Sequence, residues 1–159
     1  MTPDSALRKQ LAQLIEGGHA HATFEAAVKD MPLGQVGTRP PGCPHSAWEL
    51  LEHLRIAQHD ILEFSRSADW ESPKWPEGYW PASPRPEKPE QWIHSVEQYR
   101  ADQSEFLKLL ADPQQDLSKP FPWGDGQTLL REAILIGDHA AYHIGQLVLV
   151  RRLLGAWVS

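Results

Sequence analysis

Apolar residues recur at three- and four-residue steps in four stretches of the chain, and Pro and Gly gather between them. Leu7, Leu11, Leu14, Ile15, Gly18, Ala22 and Ala26 share one face of a helix expected from about Ser5 to Val28. Gly17 and Gly18 stand in its middle, each costing roughly 1 kcal/mol relative to Ala. Either another backbone packs closely there or the helix breaks and restarts. A loop rich in Pro and Gly follows, from Pro32 to Pro44. The second helix has a marked start. Ser46-Ala47-Trp48-Glu49 fits a capping box, in which two side chains satisfy two orphan backbone N–H groups. Leu50, Leu51, Leu54, Ala57, Ile61 and Leu62 continue the stripe, which fades near Ser65.

Six prolines between Ser67 and Pro89 exclude a continuous helix or a central strand. Trp70, Trp75, Tyr79 and Trp80 lie among them, and so many rings argue against disorder. An ordered surface loop, packed down by its rings, is expected. The third helix should run from about Pro89 to Leu110, with Trp92, Val96, Tyr99, Gln103, Phe106 and Leu110 on one face. After a second loop, the fourth begins near Thr128 and ends near Gly155. Being apolar around most of its circumference, it should be a central helix or an oligomer interface. No period-two run is long enough for a sheet. The fold class is therefore all-α: residues 1–159 form one domain, a four-helix bundle with long Pro/Trp-rich connecting loops.

Composition narrows the function. Fifteen basic residues against 21 acidic ones give a net charge of −6 with no basic run, so nucleic-acid binding is not expected. The single cysteine, Cys43, excludes an internal disulfide and a four-cysteine metal cluster. Lying in a loop between Gly42 and Pro44, it has no neighbour that marks it as a nucleophile. The most apolar stretch, Ala133 to Leu154, is interrupted by Asp138, His139, His143, Gln146, Arg151 and Arg152, so no membrane span is expected. The first ten residues lack the apolar core of a signal peptide, and a cytoplasmic protein is the expectation.

The eight histidines carry the candidate chemistry. His139 and His143 are four apart on the fourth helix, which sets both imidazoles on one face, able to converge on one cation. The pair alone is weak, since hydrogen-bonded core histidines show the same spacing. Its setting strengthens it: buried imidazoles need partners for their ring nitrogens, and a metal supplies one. His53, on or beside the apolar stripe of the second helix, faces the core and can join them. Three protein ligands would leave a coordination position for water or substrate. His94 and His59 fall off their stripes, and His45 is either exposed or at a pocket mouth. An unbroken first helix would turn His21 inward and His19 outward. A ligating His donates its other N–H to a carboxylate or carbonyl. Glu52, Asp60, Glu132 and Asp138 are near in sequence, though solvated helix surface is their ordinary role. Phosphate-binding glycine loops, the nucleophile elbow, H-E-x-x-H and the carboxylate-rich di-iron pattern are all absent.

The segments PHSAWELLEHLRIAQHDILEFS, PEGYWP and DHAAYHIGQLVLVRRLLGAW together resemble the DinB/YfiT-like superfamily of bacterial metalloenzymes, over about Gly17 to Trp157. That resemblance implies a four-helix bundle, commonly homodimeric, with a divalent metal (Zn, Ni or Fe) held by His53, His139 and His143. Some relatives act with a low-molecular-weight thiol, which implies a metal-dependent thiol S-transferase or hydrolase acting on a small molecule. The alternative is a non-catalytic, dimeric stress-related protein with a structural metal. A third is a metal-free pocket for a small organic ligand. The resemblance assigns no further catalytic residue.

Overall fold

A computed structural model describes residues 3–157. Five α-helices follow in order: α1 (Pro3–Glu16), α2 (Phe24–Val28), α3 (Ala47–Arg66), α4 (Glu90–Ala111) and α5 (Leu129–Leu153). Short 3-10 turns occupy Leu33–Gln35 and Glu77–Tyr79. Among the described residues the β pairing is one isolated bridge, Pro120 to Thr128, so the fold is all-α.

The helix expected from Ser5 to Val28 is two helices. Gly17 and Gly18 take φ values of 74° and 87°, a left-handed conformation that no helix continues through. The chain re-enters helix at Thr23, whose hydroxyl accepts from the Ala26 N–H. The capping box at Ser46 and Glu49 is formed as the sequence predicts. Glu49 is also paired with Arg39, and the Ser46 hydroxyl donates to the Pro84 carbonyl at 2.5 Å. The start of α3 is thus tied to both flanking loops.

Packing centres on α3, which lies against α4 on one side and α5 on the other, while α1 covers α5 and touches α4. One apolar cluster joins Phe24, Trp48, Leu51, Leu54, Tyr99 and Leu147; a second joins Leu11, Leu62, Phe106, Leu110 and Leu129. Fully burying a side chain such as Leu54 contributes about 1.5–3 kcal/mol, so these clusters dominate the favourable side of folding. Arg151, buried on α5, donates to the carbonyls of Ala26, Ala27 and Ala156 and so fastens α2 and the C-terminal turn to the core. By length and hydropathy α5 is the one described helix that could cross a membrane, and half of its most apolar window is buried inside the fold.

The loop between α3 and α4 is pinned at several points. The Trp70 indole N–H and the Tyr79 hydroxyl both donate to the Asp60 carboxylate, at 2.8 and 2.6 Å. Trp75 differs from Trp70, Tyr79 and Trp80, which are half-buried: it stands 69% exposed.

Candidate metal centre

His53 comes from α3, and His139 and His143 lie one turn apart on α5. Packing of α3 on α5 brings one nitrogen from each of the three rings within 4.8 Å of the others, close enough to serve one ion. His53 is 3% exposed and His143 8%, with His139 half-buried.

Hydrogen bonds orient two of the rings. The His53 Nδ1–H donates to the backbone carbonyl of Tyr79 at 2.8 Å, and the His143 Nδ1–H donates to Gln146 Oε1 at 2.6 Å. Both rings therefore keep the Nε2 lone pair free. The Nε2 atoms of His53 and His139 approach to 2.9 Å. With the His53 Nε2 lone pair as acceptor, a neutral His139 satisfies that contact by donating its own Nε2–H, and a cation held by both nitrogens would take the place of that proton. Burial, followed by the neighbouring imidazoles, pushes His139 down to about 3 and His143 down to about 4. Burial also lowers His53, opposed by its bond to the Tyr79 carbonyl. All three are thus held neutral at ordinary pH, which is the ligating form. The donor set fits a borderline divalent cation such as Zn, Ni or Fe.

Trp80 stacks flat on His53, with centroids 4.0 Å apart and planes 2° apart, and His45 stacks on Trp80 at 4.1 Å. His45 is half-buried, and its Nδ1 is buried without a hydrogen-bond partner. His53 and His139 also line a cleft of about 420 Å³ whose walls include Ile61, Phe64, Trp75 and Leu135. Asp60, Arg131 and Glu132 supply its charge. Glu132 is almost fully buried, which pushes its carboxyl upward; Arg131, bonded to one of its oxygens at 2.7 Å, opposes that shift, and Asp60 adds to it. Such a cleft suits a small molecule with an apolar body and a polar end.

The other histidines lie elsewhere. His94, His19 and His21 are exposed, and the break at Gly17 and Gly18 removes the geometry that would have turned His21 inward. His59 bonds Asp102 at 3.0 Å. The acidic residues require a correction. Glu52, Asp60 and Glu132 are buried rather than solvated, because Arg55, the Trp-rich loop and the cleft enclose them; Asp138 alone is exposed. No carboxylate bonds a ring of the trio among the described residues; a backbone carbonyl and a side-chain amide do so instead. Neither partner was named from the sequence: Gln146, three residues after His143 on the same helix, had a spacing that could have marked it, whereas the Tyr79 carbonyl had no signature. Cys43 is half-buried beside the first apolar cluster.

A family model described as the DinB superfamily matches residues 18–147. No curated protein and no solved structure matches the chain.

Proposed function

The chain belongs to the DinB superfamily, and on that premise we propose that it is a divalent-metal-dependent enzyme of S-transferase or hydrolase type, acting on a small molecule. In this reading α1, α3, α4 and α5 form a four-helix bundle, and His53, His139 and His143 hold the ion. The observation that carries the reading is the convergence of three buried, neutral imidazoles beside an open cleft. A structural site would be closed by a fourth protein ligand; three histidines leave room for a reactant.

A divalent ion bound there supplies Lewis acidity, lowering the pKa of a water or thiol that shares its coordination sphere. The chain's own residues do the rest. Tyr79 and Gln146 hold His53 and His143 in the tautomer that presents Nε2. Trp80 shields one face of His53 from solvent. Ile61, Phe64 and Leu135 exclude water from the cleft, and Arg131 with Glu132 offers polar partners to the reactant's far end.

Elemental analysis of the untagged protein beside a His139→Ala/His143→Ala variant tests the reading. About one divalent metal per chain, lost in a variant that keeps its helical circular dichroism, is the expected outcome. Protein that takes up no metal from Zn²⁺, Ni²⁺ or Fe²⁺ solutions overturns it.

A further inference from the structure

The Tyr79 carbonyl orients His53 and the Gln146 amide orients His143. The third ring of the trio has no such partner. Among the described residues the hydrogen bond of His139 is its Nε2 contact with His53, which leaves Nδ1 unbonded. An equally unbonded group lies close by on α3. Gln58 is 3% exposed and donates its side-chain Nε2–H to the Tyr99 carbonyl at 2.7 Å. That bond fixes which way round the amide stands. It leaves Gln58 Oε1 an acceptor that is buried without a partner. Native folds seldom leave a buried oxygen in that condition.

Gln58 and His139 line the same small cavity, of about 10 Å³, where α3, α4 and α5 meet. Leu54, Ile61, Ile136 and Ala140 make the rest of its lining apolar around the Tyr99 ring. Its volume is roughly that of one water-sized sphere, the smallest space that holds a water molecule. A buried water also needs at least two polar partners, and the Gln58 amide and the His139 ring supply them.

The chemistry of the two groups favours a bridge over a direct bond. In the metal-free protein His139 donates its Nε2–H to His53, so its Nδ1 is an acceptor, as Gln58 Oε1 is. Two acceptors do not bond one another, whereas a water can donate to both. With Nε2 on an ion, the neutral ring carries its proton on Nδ1 instead. The same water then accepts from Nδ1 and still donates to Oε1.

We propose that this cavity is the site of a buried water molecule bridging Gln58 Oε1 and His139 Nδ1, and that Gln58 is thereby the positioning residue for the third ring of the trio. The water turns in place when the ring changes tautomer, so the ring is held both without and with an ion. The change balances: one proton leaves Nε2 for solvent, and one from solvent goes to Nδ1. The effect of Gln58 on metal retention rests on the trio being the metal site. The water site itself does not, because it stands on the unbonded amide oxygen and the cavity.

Nuclear magnetic resonance of the ¹⁵N-labelled, metal-free chain tests the site. Rotating-frame spectra should show a long-lived water beside the Gln58 side-chain amide, distinct from proton exchange. Gln58→Met, of similar length but without an acceptor oxygen, should move the His139 ring ¹⁵N resonances of the metal-free protein. It should also weaken Zn²⁺ retention about tenfold in a chelator competition. Gln58→Glu, protonated in this buried setting, keeps a donor for Tyr99 and an acceptor for the water, and should restore most of that loss. The proposal is overturned if the wild type holds no long-lived water at Gln58, or if Gln58→Met leaves the His139 resonances unmoved. A Gln58→Glu variant that retains Zn²⁺ no better than Gln58→Met also overturns it. Both resonance readouts are taken without metal. A chain that takes up no ion therefore overturns the proposed function, while the water site is decided by those readouts alone.

Discussion

The Nδ1–H of His53 meets the backbone carbonyl of Tyr79 at 2.8 Å, so a proline-rich loop sets the orientation of a histidine on α3. The hydroxyl of the same tyrosine donates a hydrogen bond to Asp60, seven residues after His53 on that helix. Asp60 thus acts on His53 by holding the loop that orients it. Groups that orient a ligating imidazole typically matter by 10–100-fold in metal affinity. Tyr79→Phe should weaken metal retention about tenfold in a chelator competition, and Asp60→Ala, which also releases Trp70, should weaken it further. Unchanged retention in both would separate the loop from the site.

Acid should destabilise the metal-free protein through the same cluster. An unfolded imidazole titrates near 6.5, whereas His139 and His143 stay neutral in the fold down to about 3 and 4. Between those limits the unfolded chain binds more protons. Stability therefore falls as pH drops from about 6.5 toward 4, and neither group contributes a slope above that window. The urea midpoint should decline across this range, and a His139→Leu/His143→Leu variant should decline less steeply. Parallel slopes would show that the two rings are not held neutral.

These two contacts mark how far the sequence could be read. The Ser46–Glu49 cap and the His139–His143 spacing are local patterns, and helical geometry alone brings their members together. His53 was legible as a position on an apolar stripe, because that stripe had to face the remaining helices. Its partner was not: a backbone carbonyl looks the same at every residue, and only the folded loop selects that of Tyr79. The burial of Asp60 and Glu132 was hidden for a related reason. Both occupy helical positions that would be solvated if no loop or cleft enclosed them.

Glu132 should show the opposite pH behaviour to the histidines. Burial raises its carboxyl, so the fold favours the protonated form and loses stability as pH rises through the group's titration. Its ion pair with half-exposed Arg131 returns little, as such pairs do. Glu132→Gln keeps the shape and removes the charge. Its melting temperature should exceed that of the wild type at pH 8 and match it near pH 4. A lower melting temperature at pH 8 would mean that Arg131 more than offsets the cost of burying the charge.

Gly18 divides a stretch whose apolar spacing alone would continue as one helix. At φ 87° an alanine would be strained, and its Cβ would sit 3.0 Å from Thr23 Cγ2. Thr23 caps α2, and α2 carries Phe24, whose ring stacks on Tyr99 at 4.0 Å. Strain at Gly18 is therefore passed to a core contact. Gly18→Ala should cost about 1–2 kcal/mol in chemical denaturation, the penalty for placing a Cβ in left-handed backbone. Gly34→Ala is the control: its Cβ would meet nothing within 4 Å and its φ is not positive, so its effect should stay within about 0.5 kcal/mol. Equal effects at the two sites would show that the turn does not depend on left-handed geometry. A stabilised Gly18→Ala would go further, because it requires α1 and α2 to join into the single helix that the apolar spacing describes.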